Sequence, residues 1–241
     1  VFWWRNEVRP GVSVAFTDTG AGNLALHVGD NPDEVLARRV DLEQAAGLGG
    51  RKFQYMDQVH GNRVEFIKVH GPGPTADAMV SAATTSGAGV PPAPQPLAVM
   101  VADCVPVVFV ADGPGADPVI AVAHAGRPGV ASDVVTETVQ EMRKRGAVDI
   151  SAWLGPSICG SCYEVPEKLR ADVAALVPAA WSSTSWGTPA LDLPAGVRAQ
   201  LASLDVSVGY SGECTLENNS LFSYRRDSRT GRFAGLVWTH D

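Results

Sequence analysis

The sequence predicts an α+β fold, a domain of mixed β-sheets flanked by helices. Three observations carry this. Strand-like apolar runs outnumber the legible helices and do not alternate with them regularly, which argues against a doubly wound parallel sheet. Within 241 residues, 25 glycines and 17 prolines demand many turns and few long helices. Apolar residues at 45% against 19% charged residues supply a sizeable core. No repeat of fixed period and no charged or serine-rich linker divides the chain, so residues 1–241 read as one domain.

The elements follow in order. Val12–Phe16 is the first strand-like run. A helix then begins at Asn31-Pro32-Asp33-Glu34: asparagine caps free amides, proline suits the first helical position, and the carboxylates favour the positive end of the dipole. It should stop near Gly47. Arg63–Val69 reads as a strand. The low-complexity stretch Ala82–Pro96 reads as a surface loop, since apolar strand-like segments lie on both sides. Strands follow at Leu97–Ala102, Val105–Ala111 and Val119–His124. A helix over Ser132–Arg145 places Val134, Val135, Thr138, Val139 and Met142 at helical spacing, with basic residues at its end and Gly146 as the stop. Ile150–Leu154 is a strand, Pro166–Leu176 and Pro194–Leu204 are weaker helices, and Gly235–Trp238 is the last strand.

Composition narrows the function. A net charge of −7 opposes a nucleic-acid partner held on a broad basic face, although a local basic pocket can still take an anion. No apolar run approaches the ~20 residues of a membrane span. No signal peptide is visible in the sequence given, and four cysteines are too few for a disulfide framework, so a reduced cytoplasmic setting is expected. Small-molecule chemistry is the starting expectation.

The candidate site residues sit where strands meet loops. His60 lies in Gln58-Val59-His60-Gly61, Cys104 follows Ala102-Asp103, and His124 closes an apolar run. Rigid elements present functional side chains at such places. A cysteine among valines is more often core, and these separations form no short metal signature. If the three converged, three nitrogen and sulfur ligands with an open position would suit catalytic zinc and, less specifically, copper. The segment Cys159-Gly160-Ser161-Cys162 has no second Cys-x-x-Cys pair and no thioredoxin-like context, so it reads as a turn with two packed thiols. The turn after His124, with Arg127, leads toward a helix and can hold an anion such as phosphate. Phe222-Ser223-Tyr224-Arg225-Arg226-Asp227 is either a second anion contact or a salt-bridged exposed strand.

Taken together, these motifs resemble the bacterial YfiH-like family, also labelled multicopper polyphenol oxidase (laccase) domain or peptidoglycan editing factor. The matching segments include Asn23–Asp30, Gln58–Gly61, Ala76–Val80, Ala102–Cys104, Ala123–Gly126, Gly155–Ile158, Cys162–Val165, Leu191–Leu193 and Phe222–Asp227. The resemblance implies a single α+β domain with a mixed-sheet core. It implies that His60, Cys104 and His124 form the metal site, usually assigned to zinc. The implied activity is phosphate-dependent cleavage of purine nucleosides (adenosine, inosine and methylthioadenosine), with adenosine deamination beside it. A polyphenol oxidase activity and a role in cell-wall precursor fidelity are the family's other labels.

One departure bears on the site. Where the family usually reads His-Ala-Gly-Trp-Arg-Gly, this chain has His124-Ala125-Gly126-Arg127-Pro128-Gly129. The metal ligand survives, the tryptophan is absent and the arginine comes one place early. Phosphate would then fall to Arg127 or Arg63 with main-chain amides after His124, and Arg225 is the further candidate. Deamination would need water activated by an open zinc, but no His-x-Glu is present, which leaves Asp103 as the candidate proton shuttle. A laccase would need a histidine-rich copper cluster, for which five histidines with no His-x-His pair are poor material.

Overall fold

The computed structural model describes residues 1–83, 93–115 and 117–240. Its strands are β1 (Phe2–Arg9), β2 (Val12–Thr17), β3 (Val64–Phe66), β4 (Ala78–Ala82), β5 (Leu97–Val101), β6 (Val105–Asp112), β7 (Pro118–Ala125), β8 (Val148–Leu154), β9 (Trp181–Ser183), β10 (Pro189–Leu191), β11 (Ser207–Ser211) and β12 (Phe233–Thr239). The helices are α1 (Pro32–Ala46), α2 (Arg127–Ala131), α3 (Val134–Lys144), α4 (Glu167–Leu176) and α5 (Leu193–Ser203). Two sheets dominate. One runs β1-β2-β12-β5, and the other runs β11-β8-β6-β7-β4-β3 with both parallel and antiparallel pairs. The mixed α+β expectation is met, and most of the Ala82–Pro96 loop lies outside the described residues.

Side-chain alternation explains the layers. On β6 and β7, Val107, Phe109, Ala121 and Ala123 face one way and pack on Val134, Val135, Val139 and Met142 of α3. Their neighbours Val108, Val110, Ile120 and Val122 face the other way, against Val12, Val14 and Phe16 of β2. The outer face of the first sheet, including Ala98, Leu236 and Trp238, is covered by Leu42 and Ala46 of α1 and by Phe53. A strand buried on both faces must be apolar at every position, which is why β6 and β7 read as unbroken runs rather than alternating ones.

Local chemistry sets several ends as expected. Asn31 accepts from the Asp33 amide at 3.0 Å, and Gly47 closes α1 in the left-handed region at φ 77°. Asp192 caps α5 through the Ala195 amide at 2.8 Å. Elsewhere the structure differs from expectation. The helix read over Ser132–Arg145 forms as α3, opening two residues later because Asp133, at φ 63°, turns the chain before it, and the unexpected short helix α2 precedes it from Arg127. Phe222–Asp227 is a run of turns instead of an exposed strand. Among the described residues, no helix is long and apolar enough to cross a membrane.

Candidate functional site

Strand register assembles the site. Ala78 of β4 pairs with Ala123 of β7, so Asp77 lies beside His124, and the His124 amide donates to the Asp77 carbonyl at 2.7 Å. Pro106 of β6 pairs with His124 on the other side, which sets Cys104, at the entry to β6, near the end of β7. His60 arrives from a loop, held at φ 61°.

Asp77 organises all of this. Its carboxylate is fully buried, and it accepts the His124 Nδ1 proton at 2.8 Å and the amides of His60 at 2.9 Å and Gly61 at 2.6 Å. Burial alone would raise its pKa, but these donors outweigh burial and hold the carboxyl below its ordinary value. Because Nδ1 of His124 is committed to Asp77, Nε2 is the ring atom left for a ligand.

The ligand atoms of His60, Cys104 and His124 all lie within 4.8 Å of one another, and Cys104 Sγ stands 3.8 Å from His60 Nε2. Gly126 leaves the room for this. A Cβ there would stand 2.8 Å from His60 Cδ2, 3.1 Å from Cys104 Sγ and 3.5 Å from His124 Nε2. Burial opposes ionisation of Cys104, yet the adjacent His124 and then His60 overcome it and bring the thiol down to about 6. Burial likewise disfavours the imidazolium of His124, but the Cys104 thiolate and Asp77 raise it to about 9. A soft thiolate with two imidazoles, one oriented by a buried carboxylate, fits a zinc or copper ion.

The three candidate ligands open into a cleft of about 670 Å³, also lined by Gln58, Arg127, Tyr163, Tyr224, Arg225 and Arg232. Arg127, at the first position of α2, lines the cleft together with Tyr163, and burial keeps that phenol protonated above its usual pKa. The early arginine of this chain therefore still delivers a cation to the cleft. Arg225 places its Nη1 on the Glu164 carbonyl at 2.9 Å and its guanidinium 5.1 Å from the Tyr163 ring centre. Arg63 does not join them. It binds Glu65 (Nε to Oε1 2.7 Å) in a separate depression beside Glu137, Glu141 and Lys144 of α3. Asp103 lines the cleft, with its two oxygens accepting from Thr215 Oγ1 and the Arg225 amide, each at 2.6 Å.

Sequence reasoning missed Asp77 and Arg232 as site residues. Ala76–Val80 is one of the segments that carry the resemblance, but nothing in it marks Asp77 as a site residue, and Arg232 stands just before the final strand with no clustered partner to mark it. It also missed that Cys214 folds back beside Cys159 and Cys162. These three thiols and Glu217 form a second group whose ligand atoms lie within 4.8 Å of one another.

In metal-free protein, alkylation of Cys104 should rise with pH to half its maximum near pH 6, against the ~8.5 of a free thiol. Asp77→Asn should move that midpoint upward by withdrawing support from the His124 imidazolium, and a parent midpoint at the free-thiol value would refute the coupling. Gly126→Ala has compatible backbone angles (φ −75°, ψ 167°), so its effect should be confined to the ligand group. It should weaken zinc binding by about 10-fold or more in chelator competition, with an unchanged unfolding midpoint.

Comparisons with known proteins agree on kinship. Residues 6–240 match the family described as multi-copper polyphenol oxidoreductase laccase. The chain is 46% identical to purine nucleoside phosphorylase ORF3 of Streptomyces griseus, covering 93% of each chain. It is 36% identical to purine nucleoside phosphorylase YfiH of Escherichia coli, covering 90% of this chain and 85% of that one. Among solved structures, the Neisseria meningitidis protein NMB0706 superposes with a TM-score of 0.81 at 32% identity, covering 100% of this chain and 99% of that one. YlmD from Geobacillus stearothermophilus superposes with a TM-score of 0.79 at 27% identity over 100% of both chains. The chain therefore belongs to the YfiH-like family, the multi-copper polyphenol oxidoreductase laccase family of the matching description.

Proposed function

We propose that this protein is a zinc-dependent purine nucleoside phosphorylase acting on adenosine, inosine and methylthioadenosine. The observation that carries the reading is one cleft joining the His60/Cys104/His124 group to the cations Arg127, Arg225 and Arg232 and the rings of Tyr163 and Tyr224. About 670 Å³ is within the size range of small-molecule sites. The relatives named above are called purine nucleoside phosphorylases, which supports the same class.

Phosphorolysis forms a bond from a phosphate oxygen to C1′ and breaks the bond from C1′ to the base nitrogen, whose electron pair leaves with the base. The anion must be held in line, and charge on the departing base must be stabilised. Arg127 and Arg225 suit the phosphate, because guanidinium groups offer paired donors to phosphate oxygens. The main-chain contribution expected from the loop is smaller than its sequence suggests. Pro128 has no N–H, and α2 spans only five residues, too few for a strong dipole. Side-chain cations therefore do most of the holding. Tyr163, kept protonated, supplies a neutral O–H for the purine edge, and the exposed Tyr224 ring offers a stacking face.

His60, Cys104 and His124 would hold the zinc. When bound, zinc supplies Lewis acidity at a position open to the cleft. Copper in the same group is the alternative for an oxidase. Of the five histidines, however, only His60 and His124 join a potential ligand group among the described residues, which is thin provision for a multicopper cluster. Deamination of adenosine is the finer possibility of the same cleft, and it reads out separately as ammonia release.

Metal-quantified protein incubated with each nucleoside should release free base and the matching sugar 1-phosphate (ribose 1-phosphate, or its 5-methylthio derivative from methylthioadenosine) only when phosphate is present. Base release that ignores phosphate, or none from any purine nucleoside, would sink the reading. Arg127→Ala should raise the KM for phosphate by about 10-fold or more, the size expected when a charge-assisted contact is lost, with a smaller effect on the nucleoside KM. If both constants move equally, Arg127 only packs against Tyr163, and the phosphate contact passes to Arg225.

A further inference from the structure

The second cysteine group lies outside the cleft, and the proposed reaction does not use it. Cys159 and Cys162 stand at the two ends of a tight turn, where the Cys162 and Tyr163 amides both donate to the Cys159 carbonyl at 3.0 Å. Cys214 comes from a segment more than fifty positions later and is fixed against that turn by main-chain bonds. Ser157 donates to the Glu213 carbonyl at 3.0 Å, and Thr215 donates to the Ser157 carbonyl at 3.1 Å. The Cys159 amide points at Cys214 Sγ, 3.4 Å away, a donor suited to a thiolate. Glu217, three residues after Cys214, brings an exposed carboxylate to the same point. Gly160 is required between the cysteines, since a Cβ there would stand 2.6 Å from Asp192 Cβ and 2.8 Å from Ser182 Oγ.

We infer that Cys159, Cys162, Cys214 and Glu217 form a second, closed zinc site with a structural role. Four donors within 4.8 Å of one another are close enough for small side-chain shifts to form a tetrahedron, whose ~2.0–2.3 Å bonds place ligand atoms roughly 3.3–3.8 Å apart. Three thiolates select a soft ion such as zinc over calcium or magnesium. All three thiols are free, so no disulfide competes for the sulfurs. The contrast with the first group is chemical. Three ligands beside a cleft leave a position open, whereas four ligands away from it close the sphere, as structural zinc sites do.

The site also backs directly onto the first one. Ile158, preceding Cys159, donates its amide to the Asp103 carbonyl at 2.9 Å, and Thr215, following Cys214, donates its hydroxyl to the Asp103 carboxylate at 2.6 Å. Asp103 precedes Cys104 and is held at φ 90°. An ion that ties residues 159, 162 and 214 together therefore clamps both supports of the turn that presents Cys104.

The test is zinc stoichiometry under reducing conditions, measured by elemental analysis after titration with zinc alone and gel filtration. The parent should hold two ions per chain. The double variant His60→Ala, His124→Ala should keep one, and Glu217→Gln, which changes only an exposed side chain, should weaken that remaining ion by about 10-fold in chelator competition. Loaded with cobalt instead of zinc, the double variant should show thiolate-to-metal charge-transfer absorption that falls by about a third when Cys214→Ser is added. A parent that saturates at one ion, with the folded double variant binding none, would overturn the inference. So would a disulfide among the three cysteines in zinc-free protein that persists when zinc is supplied under reducing conditions.

Discussion

A single buried carboxylate governs the geometry of the cleft. Asp77 is fully buried, and an unpaired charge there would be severely destabilising. It is tolerated because the His124 ring and the amides of His60 and Gly61 all donate to it. The same bonds do two further jobs. They fix the tautomer of one candidate ligand histidine, and they hold the loop that carries the other. Burial and function are therefore satisfied by one set of hydrogen bonds, and neither can be altered without the other.

The two-sheet architecture makes that arrangement possible. Because β4 and β6 both pair with β7, residues far apart in sequence meet at the strand ends in the middle of the six-stranded sheet. Apolar faces on both sides of β6 and β7 lock the register, since a slip of one residue would turn Phe109 and Val108 to the wrong layers. The site thus inherits its precision from core packing. Loops then add chemistry at the rim: Arg127 from the start of α2, Tyr163 after the cysteine turn, and Arg225 from the run of turns before β12.

What the sequence made legible follows from locality. Capping by Asn31 and closure by Gly47 depend on neighbours within one turn, and α1 forms where those residues place it. The buried strands β5, β6 and β7 are continuous apolar runs and could be read directly. The short edge elements β9, β10 and β11 could not, because residues such as Trp181-Ser182-Ser183 become strand only through their partners. Asp77 was hidden for the same reason. Its importance lies in contacts with residues 16 to 47 positions away, and only β4–β7 register reveals them. Arg63 misled in the opposite direction. Its nearness in sequence to His60 suggested the cleft, but β3 carries it toward the acidic side of α3. The α3 start came two residues later than read, because Asp133 is a left-handed residue that helical periodicity does not register.

Two of the five non-glycine residues with positive φ among the described residues stand at the site, the others being Asp133, Asp149 and Asp205. His60 at φ 61° and Asp103 at φ 90° are non-glycine residues in a region that costs on the order of 1–3 kcal/mol each. One is a candidate ligand and the other directly precedes one. Each persists because a carboxylate secures it: Asp77 takes the His60 amide, and Asp103 uses its own carboxylate to take Thr215 and the Arg225 amide. Either turn could relax if those acceptors were lost, and the ligand group would then spread. The chain invests stability in presenting His60 and Cys104 at fixed positions, which a merely packed thiol and a surface imidazole would not require. That arrangement supports, from geometry alone, the proposal that the His60/Cys104/His124 group holds a metal.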